Sequence, residues 1–315
     1  MPDFSALLPP PVLFFALGML AGGLRSDLAV PEAMAKGLSL YLMLAIGLKG
    51  GAAIATPGAA ASLLPALAVG IALSLLLPLP AFLSLRAVSP LDRETAAAVA
   101  GHYGSVSVVT FAAAAGVLAG RGVAYEGFMP AVLAAMETPA IISALVLARG
   151  ASGGVFTRKL AREVFLNGSV VLLLGSFFIG WFAGPAGKAQ LAPFTEGLWQ
   201  GALCFFLLEM GLMAARQLRA AGRGLPPALI GFGLVMPLFG ASCGWLGGHL
   251  AGLSPGGIAL MTVLAASSSY IAVPAAMRMA LPHADAGIYV TLSVAITFPF
   301  NILLGIPLYL WAAGV

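Results

Sequence analysis

Two apolar stretches of the sequence are each interrupted midway by glycine, serine or proline. The first reads Gly101-His-Tyr-Gly-Ser-Val-Ser-Val-Val-Thr110, and the second reads Ala265-Ala-Ser-Ser-Ser-Tyr-Ile-Ala-Val-Pro274. A helix broken inside a lipid bilayer frees backbone N–H and C=O groups that must be satisfied. Helix N-termini favour an anion, and freed carbonyls and hydroxyls favour a hard cation such as Na⁺. The pattern predicts a site for an anion and a coupling ion, unless these small residues serve only close helix packing.

Glu137 is an acidic residue midway along a third apolar stretch, directly before Thr138 and Pro139. A carboxylate in that position is costly unless it is paired, protonated or bound to a cation. We therefore interpret Glu137 as a Na⁺ ligand or a proton carrier. The alternative is a carboxyl group that caps a helix broken at the proline.

Four further polar residues lie within apolar stretches, and the first three leave alternatives open. Lys49 and Glu209 pair with each other, or they lie near the membrane boundary and extend their charges into water. His102 carries a proton or binds substrate, or it makes a structural contact between helices. Asn301 is expected to satisfy the backbone groups freed at Pro299.

The composition of the chain requires lipid around these residues. Of 315 residues, 61% are hydrophobic and 8% are charged, whereas soluble domains carry about 25% charged residues. The sequence predicts an all-α membrane protein with apolar segments at 9–24, 37–55, 61–85, 94–119, 126–148, 164–184, 195–215, 226–251, 255–280 and 286–312. No nucleotide-binding loop, metal-ligand cluster or nucleophilic triad stands out, so we predict no enzyme activity and no cofactor. The net charge of +4 is spread over loops and does not indicate nucleic-acid binding.

The two halves of the sequence match each other in order and spacing. Leu44–Leu48 resembles Leu208–Leu212, Pro65-Ala-Leu resembles Pro227-Ala-Leu, His102–Ser107 falls opposite Ser267–Ala272, and Met136–Pro139 falls opposite Ile296–Pro299. Each half holds five segments, an odd number, so the second half enters the membrane from the opposite side. We predict a first repeat over 1–150, a short cytoplasmic linker over 151–163 and a second, inverted repeat over 164–315.

Basic residues are strongly biased to one face of the predicted topology. That face holds Arg25, Lys36, Arg86, Arg93, Arg149, Arg158, Lys159, Arg162, Arg216, Arg219, Arg223 and Arg278, while Arg121, Lys188 and Lys49 lie toward the other. The positive-inside rule makes the first face cytoplasmic. The prediction is a multi-pass protein of the bacterial inner (plasma) membrane with both termini extracytoplasmic.

The residues described above resemble the cyanobacterial-type sodium-dependent bicarbonate transporter family over nearly the whole chain. The resemblance rests on Gly47-Leu-Lys-Gly-Gly-Ala52, Gly104-Ser-Val-Ser107 with Thr110, Met136-Glu-Thr-Pro139, Ala265-Ala-Ser-Ser-Ser269, Ser293 with Pro299, and Ile306-Pro-Leu308. It implies ten spans in two inverted five-helix halves, assembled as a homotrimer. It also implies a core of spans 3–5 and 8–10 that moves, elevator-like, against a gate of spans 1, 2, 6 and 7. The broken helices four and nine would cross at the site.

The resemblance also implies roles for individual residues. Those expected to bind substrate are Tyr103, Gly104, Ser105, Ser107, Ser268, Ser269, Tyr270, Thr297 and Phe298. Those expected to bind the ion are Thr110, Glu137, Ser267 and Ser293, with Glu137 the candidate sodium ligand where aspartate is usual. Three positions depart from the family pattern: Tyr270 replaces an aspartate, Thr297-Phe298 replaces Gly-Thr, and Lys49 replaces a small hydroxyl residue. A lysine can substitute for a bound Na⁺.

The predicted function is sodium-coupled uptake of bicarbonate or a related small anion. A proton-coupled transporter working through Glu137, Glu209 or His102, or a sodium-independent one, is the alternative on the same fold. A channel or a non-transporting membrane scaffold is an alternative of another class. A small PII-like regulatory protein is a known partner of cyanobacterial family members, but the short central segment here gives it no support.

Overall fold

A computed structural model describes residues 9–55, 62–149, 162, 166, 168–222 and 225–315 of the chain. Within these ranges the chain forms helices and no strand. The helices are α1 Pro10–Gly23, α2 Glu32–Ile54, α3 Leu63–Leu76, α4 Pro78–Val88, α5 Arg93–Gly104, α6 Val108–Gly120, α7 Met129–Glu137, α8 Pro139–Arg149, α9 Gly168–Ala192, α10 Trp199–Ala221, α11 Pro227–Leu250, α12 Pro255–Ala266, α13 Ala272–Ala280 and α14 Ala286–Ala312. The predicted linker 151–163 lies almost entirely outside the described residues.

The all-α prediction is confirmed for the part of the chain that the structure describes. Eight helical stretches there are long and apolar enough to cross a membrane, and two shorter apolar helices, α1 and α12, accompany them. Within the described ranges, each predicted apolar segment overlaps one or two helices. The sixth segment extends furthest beyond its predicted end, because the helix continues into a π-helical turn over Pro193–Gly197. The helix bends at Gly184, whose φ of 59° is a conformation that glycine adopts readily.

The fourth and ninth apolar segments are broken in the same way. α5 and α12 each have twelve residues and start at a side-chain cap, Asp92 accepting from the Thr95 N–H and Ser254 from the Gly257 N–H. Each helix ends at a serine with extended backbone, Ser105 at φ −91° and ψ 172°, and Ser267 at φ −83° and ψ 166°. Counted from the caps, Ser105 matches Ser267, so the predicted alignment of His102–Ser107 with Ser267–Ala272 is three residues out of register.

Two helix pairs outside these broken segments approach at glycines. A Cβ on Gly18 of α1 would lie 2.1 Å from the Leu208 carbonyl oxygen of α10, and one on Gly180 of α9 would lie 2.2 Å from that of Leu48 in α2. Gly211 and Gly51 make the reciprocal contacts, to the Phe15 and Phe177 carbonyls respectively. Gly47, the residue predicted to match Gly211, also lies against α9, where a Cβ would be 2.6 Å from the Leu173 carbonyl oxygen.

The two proline-containing spans differ from each other. α7 and α8 are separate helices that meet at Thr138, whereas α14 runs on through Pro299 with π-helical turns at Leu292–Thr297 and Asn301–Gly305. Proline lacks an N–H and disrupts the regular helical ladder. The first half accommodates it by a break, and the second by widening the helix on both sides.

Candidate functional site

The two breaks lie against each other and are joined through main-chain groups. The Ser107 N–H donates to the Ser267 Oγ at 2.9 Å, and the Ser269 N–H donates to the His102 carbonyl at 2.9 Å. The Ser267 hydroxyl in turn donates to the Leu264 carbonyl at 2.8 Å. Each break therefore supplies hydrogen-bond partners to the other, which fixes their relative position in the protein interior.

The surrounding helices are the most deeply buried in the described structure. Every residue of α5 from Thr95 to Gly104, and every residue of α12 from Gly256 to Ala266, is buried. Polar groups in such an environment must be hydrogen-bonded to persist. The serines at the breaks are therefore held in defined positions at the centre of the molecule.

A hydrogen-bonded chain links α5 to the last span. The Tyr103 hydroxyl lies 2.6 Å from the Thr297 Oγ1, and the Thr297 hydroxyl donates to the Gly233 carbonyl at 2.7 Å. Because a threonine hydroxyl has one proton and gives it to Gly233, Tyr103 must be the donor to Thr297. Thr297 stands where the resemblance implies a glycine. Its hydroxyl therefore adds hydrogen bonds that link α5, α11 and α14.

Other predicted site residues satisfy groups freed at the breaks. The Ser105 hydroxyl donates to the Glu137 carbonyl at 3.2 Å, and the Thr110 N–H donates to the Ser107 Oγ at 3.2 Å, where Ser107 caps α6. The Ser268 and Ser293 hydroxyls lie 2.7 Å apart. Thr110, Glu137, Ser268 and Ser293 are all buried. These contacts bring the predicted anion and ion residues into one cluster.

Tyr270, Phe298 and Gly104 form the apolar part of this cluster. The Tyr270 ring packs edge-on against Phe298, with centroids 5.4 Å apart, and Phe298 packs likewise against Phe15 of α1 at 5.4 Å. A Cβ on Gly104 would lie 2.4 Å from the Pro78 Cγ, so glycine is needed for this approach. The buried Tyr270 hydroxyl lies near Ser107 without a hydrogen-bond partner of ordinary geometry among the described residues.

Asn301 has a different role from the predicted one. Its side-chain amide donates to the Ala266 carbonyl at 2.9 Å, and the Tyr309 hydroxyl donates to the Asn301 Oδ1 at 2.9 Å. Asn301 therefore satisfies the last carbonyl of α12, at the break of the ninth segment. The expectation that it serves the groups freed at Pro299 is wrong.

Lys49 and Glu209 lie apart from the cluster and have different partners. Glu209 is bound by Arg216, two turns further along α10, at 3.1 Å. The Lys49 Nζ lies 5.1 Å from the centroid of the Trp199 ring. The open alternative of a Lys49–Glu209 pair is thus replaced by a Glu209–Arg216 ion pair.

His102 contributes to the break through its main chain and is sealed from solvent. Its Nδ1 lies 2.7 Å from the Ala98 carbonyl, so this nitrogen carries the proton. The ring stacks on Tyr289 with centroids 4.5 Å apart, and Nε2 has no hydrogen-bond partner within the described ranges.

Ser74 is a site residue that sequence reasoning missed. Its hydroxyl donates to the Met136 carbonyl at 2.7 Å and accepts from the Ala140 N–H at 3.1 Å. These two backbone groups would bond each other in an unbroken helix. Ser74 therefore bridges the break beside Glu137. A hydroxyl within the apolar run of α3 was the available signal.

The cluster is suited to hard ions. Its ligand atoms are hydroxyl, carboxylate and carbonyl oxygens, the type that hard cations prefer. No group of three or more His, Cys, Asp or Glu side chains arranged for a metal ion occurs among the described residues. The helices α6 and α13 begin at the two breaks, and their N-termini carry partial positive charge. Oxygen ligands and helix N-termini therefore meet at one place.

Long apolar helices with two interrupted segments that meet at their breaks define a multi-pass membrane protein of transporter type. The family comparison makes this assignment specific. The model of the Na⁺-dependent bicarbonate transporter superfamily matches residues 10–314, nearly the whole chain. The chain belongs to this superfamily. A comparison with curated proteins finds no match.

Proposed function

We propose that the chain is a secondary active transporter that couples Na⁺ entry to uptake of bicarbonate or a related small anion. The observation that carries this proposal is the junction of the two breaks through the Ser107–Ser267 and Ser269–His102 hydrogen bonds. Membership of the superfamily supports both the ion and the anion. The transporter needs no catalytic residue, and the only further ligand required is the coupling ion.

In the proposed site the anion binds between the N-termini of α6 and α13. Ser105, Ser107, Ser268 and Ser269 line the proposed site there, and Tyr103, Gly104, Tyr270, Thr297 and Phe298 shape it. Na⁺ binds through Thr110, Glu137, Ser267 and Ser293. The cation offsets the charge of Glu137 and of the anion, so binding of each favours the other.

The proposed movement is elevator-like. The core would consist of α3–α8 and α11–α14, and the gate of α1, α2, α9 and α10. The packing of α1 on α10 and α2 on α9 through close glycine contacts supports a gate that moves as one unit. The matching caps and breaks of α5 and α12 support the inverted repeat, in which two alternative packings give outward- and inward-facing states. We propose a homotrimer in the bacterial inner membrane with both termini outside.

The test is uptake of labelled bicarbonate into proteoliposomes that contain the purified protein. We expect an inward Na⁺ gradient to stimulate uptake, and an equal K⁺ gradient to leave it at the level of protein-free vesicles. Absence of Na⁺-stimulated uptake for bicarbonate and for a panel of small carboxylates would overturn the proposal.

A further inference from the structure

A cationic cavity lies between the proposed gate and core, away from the two breaks. It has a volume of about 210 Å³, and its walls include Lys49, Lys188, Tyr125, Trp199, Ala115 and Pro130. Lys49, Lys188 and Trp199 belong to α2, α9 and α10, while Ala115 and Pro130 belong to α6 and α7. Ala115 is eight residues beyond Ser107, about 12 Å along the helix. The cavity is therefore separate from the cluster of serines.

The charges at this cavity do not cancel. Lys188 pairs with Glu196 at 3.4 Å, and Lys49 lies within electrostatic range of both residues. Two ammonium groups thus share one carboxylate, which leaves one net positive charge. The Lys188 and Glu196 side chains are 44% and 45% exposed, so water compensates that pair, whereas Lys49 is half-buried on α2 and its charge is compensated less. The Trp199 ring compensates Lys49 only in part, since a cation–π contact is a weak partner.

The remaining walls fit a small hydrated anion. Ala115 and Pro130 restrict the size of the occupant, and the volume accommodates several waters or one small anion with its waters. Burial raises the pKa of the Tyr125 phenol, so its hydroxyl stays neutral and able to donate a hydrogen bond. Lys188 lies four residues after the bend at Gly184 and lines the cavity.

We propose that this cavity is a second anion site, which holds one small monovalent anion between gate and core. The role of this site, which is to capture the transported anion before it reaches the breaks, rests on the proposed function. The binding of an anion in the cavity does not depend on that function. Because the walls come from both helix groups, any sliding of core against gate changes the shape of the cavity and therefore its affinity for the anion.

The binding test uses Trp199 as the reporter. The chain has four tryptophans, and Trp181→Phe, Trp245→Phe and Trp311→Phe leave Trp199 alone. In detergent, iodide is titrated against the fluorescence of this single-tryptophan protein. We expect saturable quenching that bicarbonate competes away. Quenching that rises linearly with iodide and ignores bicarbonate would overturn the proposal.

Matched variants test the charge balance. Lys49→Met keeps the apolar stem over Trp199 and removes the charge, so we expect the iodide dissociation constant to rise about fivefold or more. Lys36→Met removes the same charge from the exposed start of the same helix and should change nothing. Glu196→Gln frees Lys188 and should tighten binding about threefold. Equal affinities in wild type, Lys49→Met and Glu196→Gln would contradict the second site.

Transport measurements separate this proposal from the proposed function. In proteoliposomes we expect Lys49→Met to raise the KM for the anion several-fold with little change in kcat, because only capture is impaired. If wild type shows saturable quenching but no Na⁺-stimulated uptake, the second site stands and the proposed function fails. If uptake is Na⁺-dependent and quenching is linear, the second site alone is refuted.

Discussion

Glu137 is the residue on which ion coupling depends in the proposed mechanism. Its backbone carbonyl is bound by Ser105, and its side chain is 3% exposed at the end of α7. Glu137→Gln keeps the shape of the side chain and removes the charge that attracts a cation. We expect the purified variant to elute as a folded protein and to lose Na⁺-stimulated uptake at least tenfold. Glu32→Gln, an exposed change on α2, is the control. Uptake at the wild-type level in Glu137→Gln would make this carboxylate structural.

Thr297 lies in the middle of the hydrogen-bonded chain from Tyr103 to the Gly233 carbonyl, so its replacement tests how much that chain stabilises the protein. Thr297→Val removes the donor to the Gly233 carbonyl and the acceptor for Tyr103, so two buried groups lose their partners. We expect destabilisation of about 1–3 kcal/mol, seen as a lower midpoint of thermal unfolding in detergent. Thr297→Ser keeps the hydroxyl and should lie close to wild type. Equal midpoints for the valine and serine variants would show that the hydroxyl contributes nothing.

Individual residues also show where sequence reasoning reaches its limit. The polar residues of the breaks were predictable, because small and hydroxyl residues cluster midway along two separate apolar runs. Their partners were not. Asn301 and Ala266 are far apart in the chain, and their contact depends on how α14 lies against α12. Glu209 differs, because its partner Arg216 lies two turns further along its own helix, whereas Lys49, the partner in one of the two open alternatives, lies against Trp199.

At the scale of helices, the caps of α5 and α12 determine where each break falls. Asp92 and Ser254 fix the first turn, and twelve helical residues later the chain leaves the helix. The alignment of the two halves by composition placed the serines three residues out of register because it ignored these start points. Local capping chemistry was visible in the sequence, but the equal helix lengths became evident only in the structure.

The two caps therefore support a paired prediction. Asp92→Ala and Ser254→Ala should each destabilise the protein by about 1 kcal/mol, measured by thermal unfolding in detergent. Asp27→Ala, in the exposed connection after α1, should have no comparable effect. A loss confined to one of the two caps would argue against equivalent roles in the two halves.

The Asp92 cap also has a defined pH dependence. Burial acts to raise the pKa of Asp92, but hydrogen bonds from Thr95 outweigh it and hold that pKa below its ordinary value. A carboxyl group whose pKa is lowered in the folded state stabilises the protein above the ordinary pKa. Its contribution is lost only as the pH falls through the folded value. The difference between wild type and Asp92→Ala should therefore persist at neutral pH and shrink in strong acid.

At the scale of the whole molecule, glycines determine how closely the two halves of the proposed gate pack. Gly180→Ala would place a Cβ 2.2 Å from the Leu48 carbonyl, and Gly18→Ala would place one 2.1 Å from that of Leu208. Both changes should lower the free energy of unfolding by a similar amount, about 1–3 kcal/mol, seen as a lower midpoint of thermal unfolding in detergent. Gly175→Ala, on the same helix as Gly180 but with no neighbour within 4 Å, should be neutral or slightly stabilising. A strong effect of only one of Gly18→Ala and Gly180→Ala would show that the α1–α10 and α2–α9 contacts do not contribute equally to stability.

The hydrogen bonds between the breaks have a consequence for synthesis of the protein. Ser107 donates to Ser267, and the His102 carbonyl accepts from Ser269, so the first break is completed by residues made some 160 positions later. Backbone groups without partners cost several kcal/mol in hydrocarbon. While the ribosome is still translating the second half, the fourth segment lacks these partners. We therefore expect it to reach its final broken form in the membrane only after the ninth segment has emerged.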